Sequence, residues 1–80
     1  MQTTITKHQT MSIYTITLRN PGFGSFDITR DAATDEAAKR IATAERAKAG
    51  AQWIATLYRT DPADGVLEYL ATRTARGWYR

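Results

Sequence analysis

From Ser12 to Ile28 the chain reads as two alternating runs joined by a turn, and this stretch narrows the choice of folds more than any other. Tyr14, Ile16 and Leu18 alternate with Ile13, Thr15, Thr17 and Arg19, the period-two pattern of a half-buried strand rich in β-branched residues. Phe26 and Ile28 then alternate with Asp27 and Thr29. Between the runs lies Asn20-Pro21-Gly22-Phe23-Gly24-Ser25. Pro21 presets its φ, Gly22 is free to take φ > 0 in a type II turn, and Gly24 loosens the return. The spacing therefore predicts an antiparallel hairpin.

Thr34 followed by Asp35 and Glu36 has the composition of an N-cap and an acidic first turn, which the helix dipole favours. The helix predicted from there carries Ala37, Ala38, Ile41, Ala42, Ala44 and Ala49 on an apolar side, with Glu36, Lys39, Arg40, Thr43 and Arg46 opposite. It is expected to end near Gly50. Its apolar side is small enough for close approach to a sheet, with Ile41 as the one large anchor. Gln52 to Arg59 is apolar on both faces and reads as an interior strand. Thr60 to Gly65 is dense in turn formers, and Val66 to Arg73 is extended again. Alternation there sets Leu67, Tyr69 and Ala71 against Val66, Glu68, Leu70 and Thr72. A turn at Thr74 to Gly77 returns Trp78-Tyr79-Arg80 as a short edge strand. The expected fold is α+β, a two-layer sandwich of order ββαββ(β), with one helix packed on an antiparallel sheet of four or five strands.

Eighty residues suffice for one core, so residues 12–80 are expected to form a single domain. Residues 1–11 are expected to be a frayed leader, and Met11, directly before the first strand, is an alternative start to Met1. With no cysteine there are neither disulfides nor thiolate zinc ligands, so regular packing or self-association must hold the fold. Met1 to Thr10 lacks the apolar core of a signal peptide, and no membrane partner is expected.

The chemistry-bearing residues are few. His8 is the one histidine and falls in the leader, which leaves no His-based triad, metal pair or imidazole base. Asp61 and Asp64 read as turn formers, and Asp31, Asp35 and Glu36 as complements to the helix N-terminus. Gly22-Phe23-Gly24 lies between two strands rather than before a helix, so it is no dinucleotide fingerprint. Thirteen threonines lack a positioned base to activate one as a nucleophile. Catalysis is not expected, and no cofactor is implied.

The formal charge of +3 is spread along the chain, with +2 over residues 1–30, none over 31–50 and +1 over 51–80. That bias is weak for a nucleic-acid footprint. A single helix covers one sheet face, leaving the other to water or a partner. Candidate positions on the uncovered face are Arg59, Tyr69 and Arg73, beside a C-terminal cluster of Arg76, Trp78, Tyr79 and Arg80. Arginine with aromatics is a combination used both at protein interface hot spots and on nucleic-acid platforms, while the plain packing alternative has Trp78 and Tyr79 capping the core edge. Asn20 and Phe23 add the hairpin tip, where Phe23 is expected to fold back as a core plug in preference to standing out as an anchor. An exposed edge strand leaves room for a homodimer.

The string Thr17 to Ile28 resembles the N-terminal hairpin of small phage-encoded anti-CRISPR proteins that inhibit type I systems. The matched positions are Asn20, Pro21, Phe23, Gly24, Phe26, Asp27 and Ile28. The resemblance implies a stoichiometric inhibitor in the cytoplasm of a host bacterial cell. It would dock on a Cas subunit of a type I CRISPR surveillance complex and block target DNA recognition or nuclease recruitment. The chain departs from the family after Arg30, and also in its net charge of +3 where such members are acidic. The expectation therefore turns from DNA mimicry to an acidic protein surface, with a secondary nucleic-acid contact left open. A small phage or mobile-element DNA-binding accessory protein is the alternative reading.

Overall fold

The computed structural model describes residues 11–80; the expectations for the leader and His8 lie outside them. The elements run β1 (Ser12–Asn20), β2 (Gly24–Ala32), α1 (Asp35–Ala49), β3 (Ile54–Thr60), β4 (Leu67–Thr74) and β5 (Gly77–Tyr79). They form one five-stranded sheet of order β2-β1-β3-β4-β5, antiparallel at every pairing. The helix lies on one face, so the chain has the expected α+β, two-layer architecture, with the fifth strand present.

The core divides its labour between the layers. Tyr14, Ile16, Leu18 and Leu57 are the largest fully buried side chains, all from the sheet, while the helix contributes Ala38 and Ala42. Small helix residues let the backbone settle close to large sheet residues, which fills the interlayer space without a large helical anchor. Ile41 is only half-buried, at the margin of this cluster. Ala44, expected on the apolar side, is exposed.

Helix α1 is closed at both ends by local chemistry. Thr34 Oγ1 accepts from the Ala37 N–H at 3.1 Å, and Asp35 and Glu36 occupy the first turn. At the other end the Gly50 N–H donates to the Arg46 carbonyl at 2.9 Å, with Gly50 at φ +133°. Arg46 corrects its assignment to the polar side. It is buried, and its guanidinium donates to the Trp53 carbonyl from Nε at 2.6 Å and to the Ala51 carbonyl from Nη2 at 2.5 Å.

Two further expectations are overturned in the sheet. The β1–β2 turn is closed by the Phe23 N–H on the Asn20 carbonyl at 2.8 Å, but Gly22 does not adopt positive φ; Gly24 does, at +113°. The turn is therefore not type II, and Asn20 Oδ1 holds it instead by accepting from the Gly22 N–H at 3.0 Å. On the β3–β4 side, pairing passes from Leu57↔Ala71 to Tyr58↔Tyr69. Leu70 has no partner in that register, which marks a β-bulge. The bulge puts Ala71 in the core and Tyr69 on the opposite face, which simple alternation would have kept together.

Candidate functional site

The face away from α1 is uncovered among the described residues. Alternation from the observed registers brings Thr15, Thr17, Thr29, Thr56, Thr60, Thr72 and Thr74 onto it, with Tyr58, Tyr69 and Tyr79. Threonine hydroxyls pair across strands there, as between Thr15 and Thr60 at 2.7 Å, and Thr17 donates to Asp27 at 2.8 Å. Tyr58 and Tyr69 meet edge to face at 6.1 Å, and the Tyr69 hydroxyl lies 2.8 Å from Thr72 Oγ1. Thr72 is the cross-strand partner of Tyr79. Arg19, Asp27 and Asp31 are the charged residues of this face, so it is close to neutral.

Arg59 and Arg73, expected on this face, lie on the helix side. Arg59 faces Glu68 across the β3–β4 ladder and donates to Glu68 Oε1 at 2.6 Å and to Asp35 Oδ2 at 2.7 Å. The other Asp35 oxygen accepts from the buried Tyr14 hydroxyl at 2.7 Å. Burial, aided by the bond to Asp35, holds the Tyr14 phenol above its usual value. The Tyr14 hydrogen bond, with the Arg59 guanidinium beside it, holds the Asp35 carboxyl below the ordinary carboxylate range. Arg59 is correspondingly more basic, chiefly through its hydrogen bond to Asp35. The network joins the helix N-terminus to β1 and β3, and its groups are engaged with one another.

The C-terminal cluster is divided. Arg73 sits opposite Trp78, and its side chain donates to the Thr74 carbonyl. Trp78 packs against the core margin with Lys39 Nζ 5.7 Å from its ring centre, as the packing alternative anticipates. Tyr79 is exposed on the open face. Arg76 is exposed in the β4–β5 turn, where its N–H donates to Thr74 Oγ1 at 3.1 Å, and Arg80 is exposed at the chain end.

The hairpin tip behaves contrary to the plug expectation. Phe23 is 80% exposed and Phe26 47%. Phe23 stands outside the core cluster, while Asn20, 7% exposed, occupies the base of the turn. Phe26 meets Trp53 edge to face, ring centres 5.5 Å apart. Arg46 fixes the Trp53 backbone, so a shallow cleft of about 560 Å³ forms between the tip and the end of α1, lined by Asn20, Phe23, Gly50, Gln52 and Trp53 among others. The registers bring the β1–β2 tip, the start of β3 and the β4–β5 turn to one end of the sheet. Phe23, Phe26 and Trp53 thus share that end with Arg76. Trp53 was missed as a site residue; its signal was a large aromatic just after a helix-ending glycine.

No protein-family model matches the chain, and no curated protein or solved structure matches it significantly. No helix among the described residues is long and apolar enough to cross a membrane.

Proposed function

We propose that the chain is a non-enzymatic inhibitor that acts by binding protein, and that its target is a type I CRISPR surveillance complex. The observation that carries this reading is Phe23, 80% exposed at the apex of the hairpin. A phenyl ring held in water at a turn gains free energy when a partner's pocket takes it up, and aromatic anchors contribute strongly to interface energetics. Phe26 and Trp53 extend the apolar contact, and Arg76 stands at the same end for an acidic rim. The positions shared with the anti-CRISPR hairpin divide accordingly. Asn20, Pro21 and Gly24 shape the turn, and Phe23 and Phe26 present its aromatic surface. Docking by this end would block target DNA recognition or nuclease recruitment.

The alternative of a DNA-binding accessory protein would need a basic stripe. Here Arg30, Lys39, Lys48 and Arg59 are engaged in ion pairs, and the open face is near neutral.

The test is capture of purified type I surveillance complexes by the full chain, alongside a DNA mobility-shift titration in salt. Saturable capture that Phe23→Ala weakens by tenfold or more, roughly the loss of one anchor, is the expected result. Phe23→Ala should retain the wild-type fold, since the ring is largely in water. Absence of capture, or steeply salt-dependent DNA binding alone, would overturn the reading.

A further inference from the structure

We infer that β2 is a self-association edge, pairing antiparallel with β2 of a second copy of this chain about a two-fold axis at Ile28. Among the described residues β2 is an outer strand of the sheet, nine residues long, pairing with β1 without a register shift. It contains no proline and no bulge, two of the devices that keep a strand edge from pairing, and its three charges, Asp27, Arg30 and Asp31, restrict the registers it can adopt. The outer strand at the other side, β5, has three residues.

The phase of the edge is set by one contact. The Thr29 carbonyl accepts from Arg30 Nη1 at 2.8 Å, so it points away from β1. By the alternation of an antiparallel ladder the backbone groups of Ser25, Asp27 and Asp31 point outward as well. Charge then selects the register. With the axis at Ile28, Asp27 faces Thr29 of the other copy, Ser25 faces Asp31, and Phe26 faces Arg30, whose guanidinium leaves the Thr29 carbonyl so that this carbonyl can accept from the other copy. An axis at Asp27 sets that carboxylate against itself, one at Thr29 opposes Asp27 and Asp31 twice, and one at Arg30 opposes two guanidiniums. Like charges directly opposite are destabilising, so only the Ile28 axis uses nearly the whole strand without such a pair. Sterically the arrangement is open. At a strand spacing of about 4.8 Å the two β1 strands stand about 14 Å apart, more than the roughly 10 Å helix diameter needed by the helices above them. The product is a continuous ten-stranded sheet with both threonine-rich faces on one side and the Phe23 tips at opposite ends. This inference does not rest on the proposed function, although Phe26 borders both surfaces.

The experiment is sedimentation velocity of the full chain over a concentration series, with circular dichroism to verify folding of each variant. A monomer–dimer equilibrium is expected. Thr29→Asp, which faces Asp27 of the other copy twice, should weaken it about tenfold, and Thr29→Lys should strengthen it. Because the chain has no cysteine, Ile28→Cys places a single thiol pair on the axis and should oxidise to a covalent dimer. Thr29→Cys, displaced from the axis, should not. A monomer at every concentration, open-ended oligomers, a dimer indifferent to both charge variants, or efficient cross-linking through Thr29→Cys but not Ile28→Cys would each overturn the assignment.

Discussion

Arg46 ties the end of α1 to the start of β3, and its neighbours explain why a buried guanidinium is tolerated. Its bonds to the Ala51 and Trp53 carbonyls give the buried guanidinium partners in the α1–β3 connection. Arg46→Met keeps the stem and removes the donors, and should cost about 2 kcal/mol in urea denaturation, the usual worth of hydrogen bonds to a charged group. The Tyr14–Asp35–Arg59 network makes stability depend on pH at both extremes. Asp35 titrates below its unfolded value of 3.8, so its contribution is complete above that value and lost as pH falls through the lower, folded one. Tyr14 titrates above 10.0, so its contribution is complete below pH 10 and lost as pH rises through the folded value. Chemical denaturation across pH should find this contribution flat near neutrality and falling at both ends. Tyr14→Phe should abolish the alkaline loss and reduce the acid one; an unchanged profile would contradict the network.

Elements differed in how openly the sequence announced them. β1 and β2 follow the period of two, β3 reads as an interior strand apolar on both faces, and α1 carries a capping threonine, an acidic first turn and a terminal glycine, so local chemistry and tertiary fold agree. The bulge at Leu70 was hidden, because an extra residue in a strand leaves no mark on an apolar pattern that tolerates either face. That one residue moved Ala71 from the Tyr69 side into the core. The same ambiguity misplaced Arg59 and Arg73, whose long side chains are at home beside a helix margin or in water. Arg46 was misread because charge alone does not reveal a guanidinium turned toward free carbonyls. Two substitutions examine the element junctions. Gly50→Ala forces a side chain into φ +133° with its Cβ 3.4 Å from the Trp53 ring, and should cost more than about 1 kcal/mol. Leu57→Ala, emptying the centre of β3 under the helix, should cost about 3 kcal/mol. Both are read from denaturation midpoints, and a neutral Gly50→Ala would refute the strained junction.

At the scale of the molecule the fold is, among the described residues, a sheet with one face packed and one uncovered, capped at one end by Phe23 and Phe26, largely in water, beside Trp53 at the core margin. The tip leaves Phe23 and Phe26 exposed side by side, whereas in the C-terminal cluster Trp78 packs on the core margin and Tyr79 alone among its aromatics is exposed. The direct measurement is a backbone amide chemical-shift map of the isotopically labelled chain titrated with an unlabelled type I surveillance complex. Shift changes and signal loss concentrated at 20–26 and 50–53, reversed by unlabelled wild-type chain but not by Phe23→Ala, are predicted. Changes confined to 76–80, or a spectrum unaltered by the complex, would contradict the account.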